Sequence, residues 1–197
     1  MEYKGFDEKG EKTQEPTKFR DALLEDMKND IMDSLKVSIN QMIVYMATYL
    51  ELINTEFFFC IFINDSSRIK YCYKLGETAK LSLGFSFDEF LDYSNKDEYI
   101  DIIAKRAAKA CSSGTIDKIL KRIFELTGLN INQEIRNSLL DIENKRNEII
   151  HENVLFDLEF DYIERLRDDL EIYLKCIART LRTEGIFVLD NINLLDE

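Results

Sequence analysis

Proline occurs once in 197 residues, tryptophan not at all, and glycine only seven times. So few turn-formers exclude a many-stranded, turn-rich β fold and point to long helices. Histidine also occurs once, and the four cysteines, Cys60, Cys72, Cys111 and Cys176, form no CxxC pair. A zinc site of the usual Cys/His kind has no sequence support, so no metal is expected. Free thiols and a polar start fit a reducing, cytoplasmic setting. Positive charge is scarce as well: 26 Lys and Arg stand against 38 Asp and Glu, a net charge of −12. The overall field of such a chain repels polyanions, so any nucleic acid must meet a local basic patch.

What the chain does have is apolar bulk, 45% of its residues, with thirteen Phe and nine Tyr. That suffices for the core of one domain. Residues 1–16 are polar and end at Pro16, which reads as a flexible arm. Helical spacing fills 17–184, and 185–197 read as a tail. Thr17 is placed to cap a first helix whose stripe holds Leu23, Leu24, Met27, Ile31 and Leu35.

A second helix is expected through VSINQMIVYMATYLELINTEFFFCIFIN. It is apolar nearly all round, which predicts a central element packed on several sides. Its FFFCIFI portion also has strand propensity. The run from Ile43 to Ile63 has the length of a membrane span, but Glu51, Asn54 and Glu56 interrupt it and no positive charge flanks it. A buried core helix is the better reading, with no membrane partner. Residues 68–92 leave helical and extended readings open. Three or four further elements follow. KDEYIDIIAKRAAKACSS is helical, TIDKILKRIFELTG runs from a Thr115 cap to a Gly128 stop, and QEIRNSLLDIENKRNEIIHE starts from an Asn132 cap. A last long helix spans Asp157 to Glu184 and stops at Gly185. The expected fold is an all-α bundle of four to six helices.

The chemistry concentrates in KRNEIIHENV, residues 145–154. At about 100° per residue, Ile135, Leu139, Ile142, Ile149 and Ile150 share one sector of their helix, and Arg146 falls near its middle. A lone buried charge costs several kcal/mol, so an anion must meet this guanidinium. Two partners stay open: an internal carboxylate, Glu51 or Glu56, or a ligand phosphate gripped by the planar fork of the side chain. His151 shares a helix face with Asn147, and Glu143 continues that polar row one turn earlier.

The stretch from Arg146 to His151, RNEIIH, resembles the R-N-x-x-x-H signature of the HEPN superfamily. The acid-bearing run IVYMATYLELINTEFF resembles that family's early core helix, and the likeness extends over residues 17–184. The resemblance implies a HEPN-like helical bundle acting as a metal-independent endoribonuclease without cofactor, in a toxin–antitoxin or antiphage setting. It implies attack of a ribose 2′-hydroxyl on the adjacent phosphate, leaving a 2′,3′-cyclic phosphate and a 5′-hydroxyl. In that chemistry Arg146 offsets phosphate charge and His151 moves a proton. Asn147 holds the imidazole or a phosphate oxygen, with Glu143 and Glu51 in support.

One histidine per chain and two proton transfers point to a homodimer with a composite active site, as the resemblance also implies. A cognate antitoxin or defence-system protein is the other partner to expect. Glu152 stands where many family members carry glycine, and Asn153 where some carry a modifiable tyrosine, so silencing by that modification is not expected. For the RNA backbone, Lys105, Arg106, Lys109, Lys118, Lys121 and Arg122 form a local basic excess against Asp117 alone. Tyr71, Tyr73 and Tyr93 are candidates for stacking on bases. The alternative is a catalytically silent HEPN-like module that binds a protein partner.

Overall fold

A computed structural model of the chain describes residues 5–6, 12–13, 18–75 and 95–188. Within the expected polar arm, strands β1 (Gly5–Phe6) and β2 (Lys12–Thr13) pair antiparallel, Gly5 opposite Thr13 and Phe6 opposite Lys12. The rest is helical. The elements are α1 (Lys18–Asn64), a 3₁₀ segment (Ser66–Lys74), α2 (Lys96–Cys111), α3 (Ile116–Thr127), α4 (Gln133–His151) and α5 (Phe160–Thr183). The fold is an all-α bundle.

The two helices expected at the start are one, 47 residues long. Their junction, SLKVSIN, contains no Gly or Pro. Its polar side chains turn inward on the helix instead of breaking it: Ser38 donates to the Ser34 carbonyl at 2.9 Å and Asn40 to that of Lys36 at 2.8 Å. FFFCIFI is helical too, because Phe57, Phe58, Ile61 and Phe62 all bury on one face at helical spacing. The expected packing on several sides leaves one side of this stretch open. Tyr45, Tyr49 and Leu52 are 73%, 51% and 55% exposed, since none of the other described helices covers that side. Residues 21–64 include a window of mean hydropathy 1.4, long and apolar enough to cross a membrane, with 39% of it buried. A core helix of a soluble protein passes the same test, so the property is weak evidence of location.

Short-range signals set the other boundaries. Asp65 caps the 3₁₀ segment by accepting from the Ser67 N–H, and the Ser67 hydroxyl, donating to the same oxygen at 2.6 Å, holds its carboxyl below the usual range. Asn95 accepts from the Glu98 N–H at 2.8 Å and Asn132 from that of Ile135 at 2.9 Å, starting α2 and α4. Gly128 and Gly185, at φ 75° and 78°, end α3 and α5 in the left-handed region that glycine enters freely. α5 starts at Phe160, three residues later than the pattern suggests, because residues 152–159 form the link that crosses back to α1. There Asn40, 1% exposed, donates to the Phe156 carbonyl at 2.8 Å and accepts from its N–H at 2.9 Å.

The main core lies between α1, α2, α3, α4 and α5, around Phe57, Phe58, Phe62, Ile123, Leu139 and Tyr173. Two smaller clusters continue it towards the start of α5. One joins Ala47, Ile142 and Leu166, and the other joins Ile39, Ile43 and Ile163. α4 therefore runs antiparallel to α1, with Ile142 against Ala47 and Ile149 near Ile39 and Ile43. This packing brings the RNEIIH turn alongside the middle of α1.

Candidate active site

Arg146 leaves the apolar face of α4 and enters a cleft of about 470 Å³ between α1, α4 and the α2–α3 turn. Its side chain is 27% exposed. One terminal nitrogen donates to Asn147 Oδ1 at 3.0 Å, and the other stands 3.8 Å from Glu51 Oε1. Glu51 is the carboxylate that meets it, but loosely, because Glu51 is itself 65% exposed. Glu56 is exposed and lies roughly 140° around α1 from Glu51. The Arg146 Nε is buried and has no acceptor.

Asn54, 1% exposed, lines the same cleft. Its Oδ1 accepts from the Tyr173 hydroxyl at 2.5 Å while its Nδ2 has no acceptor. Among the described residues, these two nitrogens are the buried side-chain polar atoms without a protein partner, and both belong to this one wall. A buried unmade hydrogen bond costs about 1–3 kcal/mol, so their coincidence marks a place short of acceptors. Thr55 donates to Ser112 Oγ at 2.8 Å across the cleft, and Lys109 and Ser113 stand on its α2 side. The cleft thus holds unmet N–H donors beside the carboxylates of Glu51 and Glu143.

Glu143 has a task that its place in the sequence row does not suggest. Both its carboxylate oxygens accept from the Ile116 N–H, at 3.1 Å each. It thereby caps α3 from another helix, where Thr115 occupies the cap position without making a side-chain cap bond. The expected Glu143–Asn147–His151 row therefore divides, since Glu143 and Asn147 line the cleft and His151 does not. His151 is the last residue of α4 and is exposed. It lies roughly 140° around α4 from Arg146.

The helix ends beyond it through Glu152 and Asn153. Asn153 has φ 55°, and the Val154 N–H closes onto the Glu148 carbonyl at 3.2 Å. Asn is among the side chains that enter this left-handed region at least cost, which gives position 153 a structural reason for its residue. Lys145 anchors the same corner, its Nζ 4.3 Å from the centre of the Phe156 ring. Tyr162 donates to Asp141 beside it, and burial followed by this bond pushes the phenol pKa up.

The expected basic patch is only partly available. Arg122 donates to the carbonyls of Cys111 and Ser113 and so ties down the end of α2. Lys105 pairs with Asp101 at 2.6 Å, and Lys121 stands 3.9 Å from Glu125. Lys109 lines the cleft, and Lys118 is exposed beside Gly114. Arg106 is half-buried on α2. Tyr71 packs on the core and donates to Glu125, while Tyr93 and the side chain of Tyr73 lie outside the described residues.

Sequence reasoning missed Asn54, Thr55 and Ser112 as cleft residues. Asn54 had a usable signal, an amide on the core face of an apolar helix; Thr55 and Ser112 had none. Among the described residues, no group of three or more His, Cys, Asp or Glu is placed to hold a metal ion. No protein-family model, curated protein or solved structure matches this chain.

Proposed function

We propose that the protein is a metal-independent endoribonuclease of HEPN type that cuts RNA by 2′-hydroxyl attack, serving as a toxin or antiphage effector. The observation that carries this reading is the state of Arg146: half-buried at an open cleft, loosely met by an exposed carboxylate, with a buried Nε that lacks an acceptor. A guanidinium kept this way is ready for phosphate oxygens, which supply the acceptor its Nε lacks and a closer partner than Glu51. Asn147 Oδ1 already holds one of its terminal nitrogens, fixing the fork in place. His151, exposed at the end of α4, takes the proton-transfer role when a second copy presents its own α4 end, giving the homodimer its composite site. Lys109 contributes to the backbone contact.

Purified protein incubated with total RNA in EDTA should leave 2′,3′-cyclic phosphate ends. His151→Ala should abolish cleavage while melting at the wild-type temperature. Cleavage undiminished in that variant rules the reading out.

One observation favours a second reading, a catalytically silent module that binds a protein partner: His151 lies outside the cleft that holds Arg146. Its mark is the absence of cleavage at any protein concentration.

A further inference from the structure

α1 carries an apolar stripe that the rest of the described chain leaves uncovered. Leu24, Met27 and Ile31 on its first half, and Tyr45, Tyr49 and Leu52 on its second, are between 51% and 73% exposed. With Leu35 and Met42 between them they fall in a sector roughly 100° wide, taking about 100° of turn per residue. Their exposed area is on the order of 900 Å², beyond the few hundred usual on a monomer and near the share one partner gives to a standard interface.

The spacing of the stripe identifies what covers it. A two-fold interface requires a patch that maps onto itself when its direction is reversed. Leu24 and Leu52 stand fourteen residues either side of Ser38, Met27 and Tyr49 eleven, and Ile31 and Tyr45 seven. Ser38 is small, and its hydroxyl is satisfied by the Ser34 carbonyl of its own helix, so two backbones can cross there without a clash or a stranded polar group.

The two halves also need each other. Every side chain from Asp21 to Leu35 is exposed, and a helix without packing is marginal in water. The second half borders an apolar groove of about 560 Å³ where Tyr45, Tyr49 and Leu52 face Leu170 and Leu174 of α5.

We propose that α1 pairs with α1 of a second copy of this chain, antiparallel and crossing at Ser38. Each first half then lies along the groove of the partner subunit. Ala47, which packs on Ile142 and lines the Arg146 cleft, lies roughly opposite the stripe on α1, so this pairing leaves both clefts uncovered. It is a different contact from the one the composite active site calls for, and a chain that uses both assembles beyond a dimer.

The test is the solution mass by light scattering at micromolar concentration. Wild type should weigh at least two chains. Ile31→Glu and Tyr45→Glu should each halve that mass with unchanged circular dichroism. Combining Ile31→Glu with Tyr45→Lys should restore it, because these positions face each other only in the stated register. Ser38→Cys should cross-link to a disulfide dimer under mild oxidation, and Asp33→Cys, on another face of α1, should not. A wild-type mass of one chain overturns the proposal, as does a mass that ignores both single substitutions. Single-chain protein that floats with phosphatidylcholine vesicles also overturns it and assigns the stripe to lipid.

Discussion

The two halves of α1 are built from the same kinds of residue and meet opposite environments. Ile39, Ile43, Ala47 and Leu50 bury on one face of the second half. Two turns before Ile39 that face continues through Met32, which is 56% exposed because none of the other described helices reaches so far. The difference teaches that helical spacing says which face is apolar, whereas cover decides whether that face is core. The hydrophobic effect acts on area removed from water, and spacing removes none by itself.

Substitution makes the contrast measurable. Phe58, fully buried, should lose about 3–5 kcal/mol on change to Ala, while Met32→Ala should stay within about 0.5 kcal/mol. Urea denaturation of the two variants decides it, and equal losses would erase the distinction between the halves. Next in size is Asn40, which sits where the two environments meet. Asn40→Ala strands the N–H and carbonyl of Phe156 and should cost about 2 kcal/mol. Asn40→Asp keeps the acceptor but sets a carboxylate oxygen against the Phe156 and Lys36 carbonyls, so it should be at least as damaging as Asn40→Ala in the same assay. The smallest effect belongs to Glu143→Ala, about 1 kcal/mol for the lost cap of α3. Faster hydrogen exchange at the Ile116 amide is its local signature, and unchanged exchange there would deny Glu143 its capping role.

Much of the fold was legible because its signals are local. Asn132, Gly128 and Gly185 act on backbone groups a few residues away, and the boundaries they implied are where helices start and stop. The junction at SLKVSIN was not legible as continuous. Ser and Asn there are ambiguous between ending a helix and folding back onto it, and only the Asn40 bond to Phe156 shows what the amide is for. At the candidate site, Arg146 was legible as a charge out of place on an apolar face. Its loose contact with Glu51, the trans cap made by Glu143 and the unpartnered Asn54 amide were not, since each depends on two helices meeting. The six cations at 105–122 show the same limit. Their charge is written in the sequence, but Arg122 is committed to the end of α2 through carbonyls nine and eleven residues away.

The sequence by itself determined the helical class, the boundaries set by Asn132, Gly128 and Gly185, and which face of each helix is apolar, because those follow from interactions within one or two turns. It also determined that one arginine and one histidine stand five residues apart on α4. Only the tertiary structure decided that the arginine opens into a cleft the histidine does not line, and that the other described elements leave half of α1 without cover. Those outcomes rest on contacts such as Asn40 to Phe156, 116 residues apart, where packing geometry and not local preference selects which groups meet.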